Sequence, residues 1–295
     1  MTYPQLSRAD IDRFYDDGYL VLEGLFAPKE VAAMAAAAER VRAVGRALGV
    51  TLLDGDGEGA DAERKLEHAG SQFVFGAANP QSQTERLLRQ ATSRVAEPMN
   101  GFRHGGGARR LLRVVWAGGC EPALLACGRD PRLTGVVGQL FGSGSAVHLL
   151  NQLHAKYPND GLEFEPHQDS EHRRYGTPEW RDRDGRGSYV QAVVAIDDST
   201  LDNGPLVFYP GSGRGGHRDP AEVRSEYQDR DGVPALLAAG SAAFFGPYVV
   251  HRSAENRGGA PRRILINGFA YPGANSRAYF GAGTGVPVDL PAPRG

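Results

Sequence analysis

The chain has 295 residues, of which 41 % are hydrophobic and 23 % charged, and a formal net charge of −2. This is the composition of a soluble globular protein, and the near-zero charge gives no electrostatic case for nucleic acid or an anionic membrane as partner. No apolar run approaches the length of a membrane span, and Met1-Thr2-Tyr3-Pro4 lacks the basic start and apolar stretch of a signal peptide. Two cysteines, Cys120 and Cys127, make neither a disulfide framework nor a zinc site. The expectation is a cytoplasmic protein with two reduced thiols, monomeric or homodimeric. It should be a single domain over 1–295 with an inserted region.

Ser7 reads as an N-cap with Asp10 at the third helical position, and Gly18 as the end of that helix. Tyr19–Leu22 follows as a strand, and Pro28 opens a second helix whose apolar face includes Val31, Met34, Ala38 and Val41. Over about 53–107 the pattern degrades into what reads as polar loops and short helices, an insertion or lid. Asp54–Gly59 resembles the start of a calcium loop, but its twelfth position is Lys65, where an acidic ligand is required. Arg109, Arg110 and Arg113 read as a solvated helix face. A helical segment follows over 121–140, interrupted at Arg129-Asp130-Pro131.

Beyond Gly144 the texture changes to short apolar strands divided by Gly, Pro and Asp: 146–156, 189–197, 206–209, 242–245, 249–253 and 263–271. Short strands with regular turn signals predict a mainly β chain with flanking helices and a jelly-roll, double-sheet core. The glycine-rich stretch 211–216 lacks the Lys-Ser/Thr and the strand–turn–helix setting of a phosphate loop.

The organising motif is Glu165-Pro166-His167-Gln168-Asp169. On a strand, His-x-Asp presents both ligating side chains on one face, because side chains alternate. His251, on a distant strand, would complete the two-histidine, one-carboxylate set that suits non-haem Fe(II) and leaves positions open. Arg262 lies eleven residues further on, at the head of an apolar strand. If His251 and Arg262 occupy adjacent antiparallel strands, the guanidinium faces the metal and can grip the far carboxylate of a 2-oxo acid through two parallel hydrogen bonds. Ser253 shares the strand face of His251. The remaining histidines, at 68, 104, 148, 172 and 217, are read as structural or solvent-facing.

These residues sit in a run of motifs that resembles the phytanoyl-CoA dioxygenase family of Fe(II)/2-oxoglutarate-dependent oxygenases. The matching pieces are Phe14–Leu22, Leu153-His154-Ala155-Lys156-Tyr157-Pro158, Pro166–Asp169 and Ala195–Thr200. They continue with Asn203-Gly204-Pro205-Leu206, Pro210-Gly211-Ser212, and His251-Arg252-Ser253 with Asn256 and Arg262. The resemblance implies a double-stranded β-helix of the cupin type. It implies that His167, Asp169 and His251 bind Fe(II), and that Arg262, helped by Ser253, holds 2-oxoglutarate. His154 and Lys156 precede the iron motif, where the family places polar contacts to the co-substrate; a histidine at 154 departs from the pattern.

The activity implied is O₂-dependent oxidation of an unactivated C–H, with release of succinate and CO₂. Halogenating relatives carry a small residue in place of the carboxylate, so Asp169 favours hydroxylation; desaturation, cyclisation and epimerisation are alternative outcomes. The expected substrate is a small or medium organic molecule, a specialised-metabolite intermediate or amino acid, since no basic cleft for coenzyme A is evident. Candidate substrate contacts are Gln152, Gln168, Trp180, Tyr189, Asn267 and Tyr271. Two rivals remain: a non-catalytic barrel that only binds, and a cupin metalloenzyme that needs no 2-oxo acid.

Overall fold

The computed structural model describes residues 3–49, 63–77, 101–104, 107–158, 160–172, 175–275, 280–281 and 286–290. Helix α1 (Arg8–Asp17) begins with a capping box, in which Ser7 Oγ accepts from the Asp10 amide and the Asp10 carboxylate accepts from the Ser7 amide. It ends at Gly18, which adopts φ +89° and packs so tightly that a Cβ there would lie 2.7 Å from Cβ of Val249. Strand β1 (Tyr19–Leu22) and helix α2 (Pro28–Gly49) follow. Pro122 and Pro131 open α3 (Pro122–Gly128) and α4 (Pro131–Phe141), with Asp130 capping the second.

The remaining strands are β2 (Arg64–His68), β3 (Ser71–Ala77), β4 (Gly101–His104), β5 (Gly107–Val115), β6 (Ser145–Lys156), β7 (Phe164–His167), β8 (Tyr189–Ala195) and β9 (Val207–Phe208). Helix α5 (Pro220–Tyr227) precedes β10 (Val233–Pro234), β11 (Ala242–Phe245), β12 (His251–Ser253), β13 (Arg262–Ala270) and β14 (Val286–Asp289). The larger antiparallel sheet runs β1-β11-β8-β13-β6-β5-β3-β2, with β14 added to β6 and β4 to β5; the smaller runs β10-β9-β12-β7. This is the expected jelly roll. No helix among the described residues is long and apolar enough to cross a membrane.

Two apolar layers cover the two faces of the larger sheet. Val193, Ala195, Phe245 and Ile264 face Phe208 and Val249 of the smaller-sheet side. Ala192, Val194, Phe244, Leu265 and Phe269 pack outward against α1, α2, α3 and α4. Every residue of β8 is therefore buried. Alternate residues of one strand thus enter either the barrel or the helical layer.

The region read as loops and short helices is different where the structure describes it. β2 and β3 form a hairpin whose turn residues, Ala69 and Gly70, both have positive φ (48° and 74°). That turn type favours Asn-Gly, and an alanine hides it. β3 then pairs with β5, extending the sheet and burying Phe73 and Phe75. Arg109, Arg110 and Arg113 accordingly lie on a strand, and Arg113 stands opposite His154 of β6 while donating twice to Glu63. The calcium-loop-like stretch Asp54–Gly59 lies outside the described residues, as do 60–62, 78–100 and 105–106.

Candidate metal centre

His167, the last residue of β7, is the direct cross-strand partner of His251, the first residue of β12. Their ring centroids are 4.3 Å apart. Asp169 does not share a strand with His167, as the spacing alone predicts: β7 ends at His167, and Asp169 opens a 3₁₀ turn over Asp169–His172. The turn nonetheless brings its Oδ1 to 3.8 Å from Nε2 of His167 and 3.9 Å from Nε2 of His251. One ligand atom from each of the three residues lies within 4.8 Å of the others.

Both imidazoles are fixed in the tautomer a metal needs. His167 Nδ1 lies 2.8 Å from the Glu165 carbonyl and His251 Nδ1 lies 3.1 Å from that of Val249. A carbonyl can only accept, so Nδ1 carries the hydrogen and Nε2 presents a lone pair. Burial, with His167 beside it, lowers His251 to about 4, against an opposing pull from Asp169. Its imidazole is therefore neutral at neutral pH. Two neutral nitrogens and one carboxylate oxygen, with no fourth His, Cys, Asp or Glu in the group, fit ferrous iron with open positions.

On the adjoining inner face of the large sheet, Gln152, His154 and Lys156 of β6 stand opposite Ile266, Ile264 and Arg262 of β13. Arg262 is 3 % exposed and its Nε has no hydrogen-bond partner. Burial lowers it to about 10, with Asp160 and Asp197 opposing. No ion pair satisfies this guanidinium among the described residues, which is expensive unless an anion is bound there. Lys156, expected as a direct co-substrate contact, donates instead to Ser253 Oγ at 2.8 Å, to the Ser253 carbonyl at 3.1 Å and to the Ala254 carbonyl. An ammonium has three donors, so its role is to hold β12 and Ser253. Since Ser253 Oγ already accepts from Lys156, its own hydroxyl proton is available to an anion. His154 lies 3.2 Å from Gln152 Oε1, and burial with the nearby Arg113, Arg262 and Lys156 charges lowers it to about 3, which keeps it neutral.

Of the expected substrate contacts, Gln152 lies on this cavity face, and Tyr189 shares the inner face of β8 with Val193 and Ala195. Gln168 is buried and pins loops: its Nε2 donates to the carbonyls of Gly216 and Tyr248, and its Oε1 accepts from the Arg218 amide. Asn267 points the other way, accepting from Asn151 Nδ2 at 2.7 Å beneath α3. Tyr271 stacks on Phe141 of α4 at 3.8 Å. Strand parity excludes Asn267 from the cavity, and Tyr271, just past the end of β13, is taken up by its contact with Phe141. Trp180 and Tyr189 pack against each other and near Tyr248 in an aromatic cluster.

What the motifs did not reveal is a pocket of about 420 Å³ beside the three ligands, lined by Ser170, Glu171, His172, Tyr175, Thr177, His217 and Pro220. His172 lies 5.6 Å from the His167 ring, and His217 stacks on Tyr175 while contacting Ser170 Oγ at 2.8 Å. These two histidines were expected to have only structural or solvent roles. Gln191 was also missed: its Nε2 donates to Asp169 Oδ2 at 2.7 Å. Its place two residues after Tyr189, on the same strand face, was the available signal.

The chain matches the family described as phytanoyl-CoA dioxygenase (PhyH) over residues 14–264. It is 24 % identical over 286 residues to phytanoyl-CoA dioxygenase domain-containing protein 1 of Danio rerio, covering 88 % of each chain. It is 28 % identical over 215 residues to the L-proline trans-4-hydroxylase of Streptomyces griseoviridis, covering 61 % of this chain and 75 % of that protein. Among solved structures, EctD from S. alaskensis with bound Fe superposes with a TM-score of 0.62 at 22 % identity, covering all of this chain (100 %) and 90 % of its own. The match over most of its length and the geometry just described lead to one conclusion: the chain belongs to the phytanoyl-CoA dioxygenase family of Fe(II)- and 2-oxoglutarate-dependent oxygenases.

Proposed function

We propose that His167, Asp169 and His251 hold Fe(II), that Arg262 and Ser253 hold the distal carboxylate of 2-oxoglutarate, and that the enzyme hydroxylates an unactivated C–H of a small organic molecule. The observation that carries this reading is a buried guanidinium with no ion pair among the described residues, on the sheet face adjoining the His/Asp/His cluster. The bound iron and 2-oxo acid supply the oxidising power, consuming O₂ and releasing succinate and CO₂. The chain's own residues do the rest. Nδ1–H contacts to backbone carbonyls orient both imidazoles, Lys156 turns Ser253, and Arg262 supplies a fixed positive fork for the diacid.

Substrate enters, in this reading, through the pocket beside His172, Tyr175 and His217. Its volume of about 420 Å³ suits a small or medium ligand. Among the described residues, its lining offers the imidazoles of His172 and His217, the Tyr175 phenol and Glu171, which is paired with Arg224 at 3.1 Å. These groups are in keeping with an amino acid or specialised-metabolite intermediate. Similarity to a proline hydroxylase and the presence of Asp169 support hydroxylation as the outcome.

The test is anaerobic addition of Fe(II) and 2-oxoglutarate, followed optically through the charge-transfer band of the chelate. Succinate release in air is then measured across a panel of free amino acids, cyclic amines and polyketide or sugar intermediates. Absence of the band, or oxidation that proceeds without 2-oxoglutarate, would refute the reading.

A further inference from the structure

Asp169 has two oxygens in two environments. Oδ1 is turned toward the histidines, at 3.8 and 3.9 Å from their Nε2 atoms, and Oδ2 accepts a hydrogen bond of 2.7 Å from Gln191 Nε2. Both side chains are buried. Because an ionised carboxylate only accepts, the amide must present its NH₂ end to Asp169, and this leaves Gln191 Oε1 buried without a partner. The contact with Asp169 is thus the one hydrogen bond its side chain makes among the described residues.

The fold makes room for this amide. Gln191 sits on the inner face of β8, opposite Phe245 of β11 on one side and Gly268 of β13 on the other. A Cβ at position 268 would come within 2.9 Å of Leu150 Cγ and 3.4 Å of Gln191 Oε1. Glycine at 268 is required by the close approach of Leu150, and it leaves the Gln191 amide at ordinary contact distance on the same face.

From this geometry we infer that Gln191 is a positioning residue that makes Asp169 a one-oxygen ligand. By occupying Oδ2 it presents Oδ1 alone to the metal and keeps the carboxylate from closing over a second coordination position, which the co-substrate or O₂ needs. The inference rests on the proposed iron site, and it concerns how the site is shaped rather than whether it exists.

The experiment uses Fe(II) alone, under anaerobic conditions, with the full-length protein and its Gln191→Met variant. Methionine has a similar length and no donor. Expected is a roughly ten- to hundredfold weaker Fe(II) affinity in competition with a chelator, with the metal-free melting temperature unchanged. A purely structural role would instead lower that melting temperature and leave the affinity of the folded protein alone. Fe(II) binding by Gln191→Met as tight as by the parent overturns the inference. If the variant fails to fold, an anaerobic crystal structure of the Fe(II)-loaded parent decides: Oδ2 on Gln191 supports it, and both Asp169 oxygens on the metal overturn it. Failure of the parent to bind Fe(II) would point to the iron site itself instead.

Discussion

Arg262 and Arg263 are neighbours on one strand and have opposite fates. Arg263 points into the helical layer, where Asp197 accepts two hydrogen bonds of 2.7 Å from it and Glu39 of α2 accepts a third at 2.9 Å. Those carboxylates hold its guanidinium above the ordinary arginine value. Arg262 points into the barrel, is more deeply buried, and has no ion pair among the described residues; burial pulls it down. The same residue type is therefore a strut on one face and, in the proposed reading, a binding group on the other. The protein pays desolvation on both faces, but only on the outer one is the return made within the chain itself.

The sharpest break of this comparison is Arg262→Gln. It is expected to raise the 2-oxoglutarate concentration for half-maximal turnover by about a hundredfold, as loss of a buried charge partner costs about 2–5 kcal/mol, while the free protein unfolds at the same or a higher temperature because an unpaired buried charge is gone. Arg263→Gln should do the reverse. Leaving the half-buried Asp197 without its partner is expected to cost about 2 kcal/mol in urea unfolding, the range for hydrogen bonds to charged groups, with the 2-oxoglutarate requirement unchanged. If both variants affect both measurements, the two faces are not separable in the way described.

Asn267 and Ile266 repeat the contrast with polarity exchanged. Asn267→Leu strands the Asn151 amide beneath α3 and is expected to cost about 1–3 kcal/mol of stability, with turnover of folded enzyme intact. The smallest expected effect lies at His148, fully buried on the helical side and stacked on Phe269 at 4.8 Å. Burial, helped by Arg129, lowers it to about 3. A histidine kept neutral in the fold but protonated when unfolded withdraws stability as pH falls from about 6.5 toward 3. Urea titrations of His148→Gln should therefore show a shallower acid limb than the parent, by up to about 1.4 kcal/mol per pH unit, and parallel limbs would contradict the assignment.

Much of this was legible where the signal is local. The cap at Ser7, the glycine stop at Gly18, the proline start at 28 and the break at Arg129-Asp130-Pro131 each act over a few residues, and the structure has them all. The β2–β3 hairpin was not legible, because Ala69-Gly70 lacks the usual signature of its turn. Asn267 reads as a cavity residue although its strand position alternates with those of Arg262 and Ile264, and Tyr271 lies past the end of that strand, stacked on Phe141. Gln168 looked like a site residue through its place between two ligands, yet its contacts are with Gly216 and Tyr248, 48 and 80 residues away.

By itself, the sequence determined the chemical inventory: two histidines and an aspartate of the right types in the right order, an arginine after them, and short strands of a β core. Those are properties of residue type and local spacing, which a linear reading preserves. Only the tertiary structure decided that His251 pairs in register with His167, that a 3₁₀ turn carries Asp169 to them, and that Arg262 has no ion pair among the described residues while Arg263 has two. Those are matters of cross-strand register and of which face each residue takes, set by contacts between segments as far as 66 and 224 residues apart.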